Sequence, residues 1–200
     1  MRERAGRWLA RHGFGRPARS DGATWSAEYA AGRWAYLGGL SELARFSVLV
    51  GYLRHFQPGG AILDVGCGEG VLLQRLRGDD YGRYVGVDIA RVAIEAAAGR
   101  DDPNAAWVAA DAEVYAPVEP FDAIVFNEVL YLFADPGGAV DRYARALKPG
   151  GVLLVSATTA HERTAPILDD LRRRYRTLDE TRVTHGQNSW SWTCAVFAPR

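Results

Sequence analysis

The chain has 200 residues, 48% of them hydrophobic, enough for one core with a small appendage. Lys and Arg balance Asp and Glu at 24 each, which argues against a dedicated nucleic-acid binder, whose footprint is basic. Two distant cysteines, Cys67 and Cys194, give no disulfide framework or metal spacing and fit a reducing, cytoplasmic compartment, and neither a membrane-spanning apolar run nor a signal peptide is read.

Charge is uneven along the chain. Residues 1–60 hold nine arginines and four acids, net +5; residues 61–160 come to −7, and residues 161–200 to +2. The simplest reading is that the basic N-terminal part docks on the acidic middle. Residues 1–24 read as a frayed arm with a short helix near Trp8-Leu9. Apolar residues then recur at helical spacing and predict helices over Ser26–Tyr36 and Ser41–Phe56, with Ser41 as N-cap and Pro58-Gly59-Gly60 as the stop. This N-terminal part, residues 1–57, is expected to form an arm and helical lid on a core of residues 58–200.

From residue 61 strands and helices alternate. The first strand, Ala61–Val65, breaks into the glycine turn Gly66-Cys67-Gly68-Glu69-Gly70, and a helix is predicted over Val71–Leu76. A strand at Tyr84–Asp88 is followed by a helix at Arg91–Ala98, a strand at Ala106–Ala109, and a strand at Phe121–Phe126. A helix over Pro136–Leu147 ends at Lys148-Pro149-Gly150-Gly151, and a strand Val152–Ala157 and a helix Ala165–Arg174 follow. The last two strands, Tyr175–Thr184 and Ser189–Ala198, are joined by a short turn and so form an antiparallel hairpin. This order predicts an α/β fold with a doubly wound, mostly parallel, seven-stranded sheet.

Doubly wound sheets bind ligands beyond the carboxyl ends of their strands. Those ends carry Asp64 with the glycine turn, then Asp88, then Asp111, then Asn127, Glu128 and Tyr131. A glycine turn lets a ligand approach the backbone, and a following helix N-terminus would favour an anion. An acid after the second strand can accept from ribose hydroxyls, and nicotinamide enzymes share that feature. Here the spacing is Gly-x-Gly-x-Gly, and Asp64 stands two residues before the first glycine. Beside a pyrophosphate that acid is repulsive; beside a cationic ligand it is favourable. A cationic cofactor with an amino-acid end and an adenosine end is S-adenosylmethionine.

The segments Ile62–Gly70, Val85–Ile89, Ala110–Ala112, Phe121–Leu132 and Leu147–Gly151 resemble those of class I S-adenosylmethionine-dependent methyltransferases, in the family's order. The resemblance implies a Rossmann-like core in which Gly66, Cys67 and Gly68 lie along the methionine moiety. It implies that Asp88 and Ile89 flank the ribose, that Asp111 and Ala112 meet the adenine, and that Asn127 lies near the sulfonium. Tyr29–Leu37 with Arg45-Phe46, Phe126–Tyr131 and Ser189–Cys194 resemble a subgroup of small bacterial methyltransferases. Glu128–Tyr131 is also similar to the nodulation N-methyltransferases acting on chito-oligosaccharide.

Tyr29 and Trp34 are candidate lid residues over the cofactor, against the alternative of packing on the sheet. Arg45 is a candidate partner for a carboxylate, against a surface salt bridge. Glu128, Tyr131 and His161 are candidate catalytic residues, with His185 a second histidine in the terminal turn. Cys67 reads as a filler rather than a reactive thiol, and no metal is expected. The expected reaction is methyl transfer to an amine or hydroxyl of a small molecule, on a sugar or natural-product scaffold, by a monomer or homodimer with no nucleic-acid or membrane partner. The alternatives are an RNA or protein methyltransferase, or a cofactor-binding module without activity.

Overall fold

The computed structural model describes residues 21–187 and 190–200; the predicted arm with its helix near Trp8 lies outside them. Seven strands form one sheet: β1 (Gly60–Val65), β2 (Tyr81–Asp88), β3 (Ala105–Ala109), β4 (Phe121–Asn127), β5 (Leu147–Thr158), β6 (Arg176–Thr184) and β7 (Ser191–Ala198). Their order across the sheet is β3-β2-β1-β4-β5-β7-β6. The first five are parallel, while β7 runs antiparallel to both β5 and β6. The helices are α1 (Gly22–Ala30), α2 (Leu40–Phe56), α3 (Arg91–Ala98), α4 (Pro136–Ala144) and α5 (Thr164–Arg174).

The buried strands send alternate side chains to opposite faces. Leu63, Val65, Ile124, Phe126, Leu153 and Val155 pack with Val140 and Tyr143 of α4 and Ile167, Leu168 and Leu171 of α5. Ile62, Ala123, Val125, Leu154 and Val196 pack on the other face with Phe46, Leu49, Val50 and Leu53 of α2. Each of those α2 side chains is almost wholly removed from water, and each such burial stabilises by about 1.5–3 kcal/mol. Among the described residues, the basic N-terminal part reaches the acidic middle at the ion pair of Arg54 with Asp80, 2.7 Å.

Four predicted features differ. The first helix starts earlier and is shorter, because Asp21 caps it by accepting from the Thr24 N–H at 2.8 Å and Gly32, at φ +67°, follows its end. A short 3₁₀ turn, Ala35–Gly38, then leads to α2, whose N-cap is Gly39 and not Ser41. Lys148–Gly151 belong to β5 rather than to a break before it, since Leu147 already pairs with Phe121 across an irregular register.

The fourth difference matters most. No α-helix follows the glycine turn; the chain makes only a 3₁₀ turn at Leu73–Arg75 before β2. Leu72 and Leu73 are buried toward α2, and the indole of Trp107 on β3 fills space beside them, 5.6 Å from the Tyr84 ring. A Cβ on Gly86 would stand 2.6 Å from that indole, and one on Gly70 would also collide with it.

Candidate active site

The turn after β1 places Gly66, Gly68 and Gly70 at φ +75°, +53° and +71°, a region that side chains beyond glycine rarely enter. The Gly66 and Cys67 N–H groups both donate to the Val87 carbonyl, at 2.8 and 3.1 Å, and so tie the turn to β2. Cys67 points into the sheet, where its Sγ would lie 2.8 Å from a Cβ on Gly86. Burial pushes its thiol far up, so it is a filler and not a nucleophile. Without a helix after the turn, an anion there meets no helix macrodipole, contrary to the expected helix N-terminus.

Asp64 is 1% exposed. Its Oδ2 accepts from the Tyr84 hydroxyl, while its Oδ1 is buried with no partner among the described residues. Burial lifts this carboxyl to about 7; the Tyr84 bond opposes the lift and neighbouring Asp88 adds to it. A buried carboxylate oxygen lacking a donor is costly unless a ligand supplies one, and a cationic ammonium supplies charge and hydrogens together. The residues present therefore fit the amino-acid end of S-adenosylmethionine.

Asp88 closes β2. Its Oδ2 accepts from the Gly68 N–H and its Oδ1 from the Ala90 N–H, both at 2.8 Å. Burial raises its pKa, and the backbone bonds resist that rise. The two oxygens are thus aimed by the backbone and keep further lone pairs for hydroxyl donors. Asp88→Ala is expected to weaken S-adenosylhomocysteine binding at least about tenfold, or about 1.4 kcal/mol. Titration calorimetry checks this, and unchanged affinity would place the ribose elsewhere. Ile89 follows, half-buried under α1: a Cβ on Gly22 would stand 2.7 Å from its carbonyl oxygen. Asp111 is exposed beyond β3, accepting from the Glu113 N–H at 2.8 Å. Ala112 is buried, its carbonyl held by Arg142 at 2.9 Å and the Tyr143 hydroxyl at 3.0 Å.

The aromatic residues of the N-terminal segment form a chain around Trp34. Its ring centroid lies 5.5 Å from Trp25 and 6.0 Å from both Tyr29 and Tyr36. The Tyr29 hydroxyl sits 2.5 Å from where a Gly68 Cβ would be, directly on the turn. Burial pushes this phenol well up, with Asp88 adding to the effect.

At the end of β4 a polar network replaces the surface ion pair considered for Arg45. Arg45 is 1% exposed and Glu42 2%. Arg45 donates to Glu42 Oε2 through Nε at 3.3 Å and Nη2 at 2.9 Å. Its Nη1 donates to Asn127 Oδ1 and to Ser156 Oγ, the latter at 3.4 Å. Ser156 also donates to Asn127 Oδ1 at 2.7 Å and lies 3.3 Å from Glu128 Oε1. The Tyr131 hydroxyl donates to Glu128 Oε2 at 3.2 Å. Glu128 is half-buried and holds φ +60°, a left-handed backbone that costs a non-glycine residue about 1–3 kcal/mol. Burial raises its carboxyl to about 7, with Arg45 pulling it down and Glu42 pushing it up.

His161 stacks on Tyr131, with centroids 4.6 Å apart, and its Nδ1 accepts from the Arg163 N–H at 3.1 Å. Burial and then Arg163 lower its pKa, which keeps the ring neutral. His185 stands in the β6–β7 turn, and Trp192 and Cys194 are buried in a cluster with Val183. Sequence reasoning named Tyr29, Trp34, Asp64, Asp88, Asn127, Glu128 and Tyr131 but missed Glu42 and Ser156. Glu42 was readable in principle, three positions before Arg45 on one helix. Among the described residues no group of three His, Cys, Asp or Glu side chains is placed to hold a metal, and no helix is long and apolar enough to cross a membrane.

Known proteins resemble this chain in sequence and fold. Ribosomal protein L11 methyltransferase of Burkholderia mallei (strain NCTC 10229) is 33% identical over 107 residues, which cover 53% of this chain and 34% of that protein. The matched part is thus about a third of the length of such curated relatives. The N-methyltransferase NodS from Bradyrhizobium japonicum WM9, crystallised with S-adenosylhomocysteine, superposes with a TM-score of 0.74 at 22% identity, covering 84% of this chain and 91% of that one. A TehB-like S-adenosylmethionine-dependent methyltransferase from Corynebacterium glutamicum gives 0.65 at 25% identity, covering 89% and 100%. The family model described as a methyltransferase domain matches residues 28–194, most of the chain. The chain belongs to the methyltransferase domain family, whose methyl donor is S-adenosylmethionine.

Proposed function

We propose that this chain transfers a methyl group from S-adenosylmethionine to an amine of a small-molecule acceptor, on a sugar or natural-product scaffold. The observation that carries the reading is Glu128. A glutamate in a left-handed conformation is expensive, and it stands at the end of β4 with its carboxyl raised to about 7. A group with that pKa can take a proton near neutral pH.

Bound S-adenosylmethionine supplies an already activated methyl group, so alignment is the main demand on the protein. Asp64, the glycine turn and Asp88 would hold it, with Tyr29 and Trp34 covering the turn. Asn127 is fixed by Arg45 and Ser156 and would line the transfer point. The acceptor must attack as a neutral amine. Glu128 would accept the proton released from its nitrogen, while Tyr131 keeps the carboxylate aimed.

The sign of the pH dependence follows. Glu128 serves as a base only when ionised, so turnover is expected to rise with pH through about 7 and then level. Glu128→Gln is expected to cut kcat by about one to two orders of magnitude, to leave S-adenosylhomocysteine binding unchanged and to remove that limb. An unaltered pH–rate profile in Glu128→Gln would assign the proton to another group. The acceptor class is tested by S-adenosylhomocysteine release with amino sugars, their hydroxyl counterparts, phenols, amino acids, ribosomal protein L11 and bulk RNA. Activity on the hydroxyl compounds alone would favour neutral His161 as the base. The ribosomal protein L11 methyltransferases among the curated relatives favour a protein acceptor as the second reading, and activity on L11 alone would establish it.

A further inference from the structure

We propose that Glu42 is a positioning residue that governs the charge of Glu128 through Arg45, without itself meeting the acceptor. This rests on the reading that Glu128 is the base. Glu42 and Arg45 lie one turn apart on α2, and that turn is pressed against the carboxyl ends of β4 and β5. At 2% exposure the Glu42 carboxylate is out of an acceptor's reach.

The argument is one of charge in a low-dielectric space. Arg45 stands between two carboxyl groups, Glu42 and Glu128; Arg75, 4.9 Å from the centre of the Phe46 ring that Arg45 also covers, adds a second cation near Glu42 but makes no hydrogen bond to either carboxyl group. Glu42 accepts both the Nε and an Nη2 hydrogen of Arg45, so the side of the guanidinium that could grip a carboxylate twice is already committed. Glu128 is left with Ser156 and Tyr131, which are neutral. Two carboxylates sharing Arg45, one buried and one half-buried, resist ionising together. Glu42 therefore spends the arginine's charge, and Glu128 keeps its proton to higher pH than an acid beside an unengaged arginine would. The other groups near Glu128 do not change this: Tyr36 from the segment before α2 and Cys194 from β7 have their pKa raised by burial, and His161, stacked on Tyr131, is kept neutral.

The test needs no acceptor. The protein is labelled with ¹³C at the glutamate carboxyl carbons, and those carbons are titrated by NMR in wild type and in Glu42→Gln. The resonance missing in Glu128→Gln assigns Glu128. In Glu42→Gln the Glu128 midpoint is expected to fall by about one unit or more, tenfold in acidity. The shorter Glu42→Asp keeps the charge and is expected to hold the midpoint near the wild-type value, whereas a purely packing role would make Asp as disruptive as Gln. A Glu128 midpoint unmoved in folded Glu42→Gln overturns the proposal. If Glu42→Gln does not fold, Glu42→Asp decides alone: a midpoint displaced as far as one unit overturns it. Should the midpoint shift as expected while Glu128→Gln leaves turnover intact, the base reading fails and the coupling stands.

Discussion

Gly68→Val is expected to leave S-adenosylhomocysteine binding undetectable at a hundred times the wild-type dissociation constant, a loss of more than about 2.7 kcal/mol. Two effects combine. At φ +53° a β-branched residue faces a backbone strain of about 1–3 kcal/mol, which the turn can relieve only by changing shape. The new Cβ would also stand 2.5 Å from the Tyr29 hydroxyl and so push the ring off the turn. A relaxed turn moves the Gly68 N–H, which is one of the two donors that aim Asp88. A single substitution thus disturbs the glycine turn, the strand-end acid and the aromatic cover. Calorimetry with matched circular dichroism checks it. Wild-type affinity in a folded Gly68→Val protein would mean that the turn only links β1 to β2.

Arg45→Ala is expected to destabilise the chain by about 3–5 kcal/mol and to lower Tm by roughly 10 °C. The cost comes less from the lost attraction than from what remains. Glu42 would keep a carboxylate in a site almost closed to water with its cation gone. Asn127 and Ser156 would each lose a donor or its alignment. The guanidinium also lies 4.5 Å above the Phe46 ring, so its removal opens space beside that core side chain. Removing both charges in Glu42→Ala/Arg45→Ala should cost clearly less than the two single changes added together. Urea denaturation of the four proteins gives the comparison. Strict additivity would show that the pair does not act as a unit.

The sheet was legible because each central strand holds a short apolar run, and two of these runs stop at a glycine or an acid: Ile62–Val65 before Gly66 and Val85–Val87 before Asp88. The order of these ends also brought Asp64, Asp88 and Glu128 to one edge of the sheet. The missing helix after the turn was not legible. Val71–Leu76 has the residues of a helix, but one turn of helix is a costly nucleus, and packing by Trp107 from a distant strand supplied an alternative. Arg45 was half legible. A charged residue on an amphipathic helix reads as solvated, and only the tertiary fold shows that its face of α2 meets polar atoms of β4 and β5. The backbone of Glu128 had no signature, because nothing in Asn127-Glu128-Val129 demands a positive φ. Its neighbour Val129 lies 2.6 Å from where a Gly66 Cβ would be, so the two loops pack closely beside it.

Trp107 has a consequence beyond filling space. It belongs to β3, the outermost strand on its side of the sheet, yet it fits notches left by Gly86 and by Gly70, the last glycine of the cofactor turn. The turn is therefore braced from the sheet's rim. These three positions share a single parcel of volume, and they can change only in step: a methyl group gained at 86 must be surrendered at 107. The rim strand thereby holds a veto over the shape of the glycine loop.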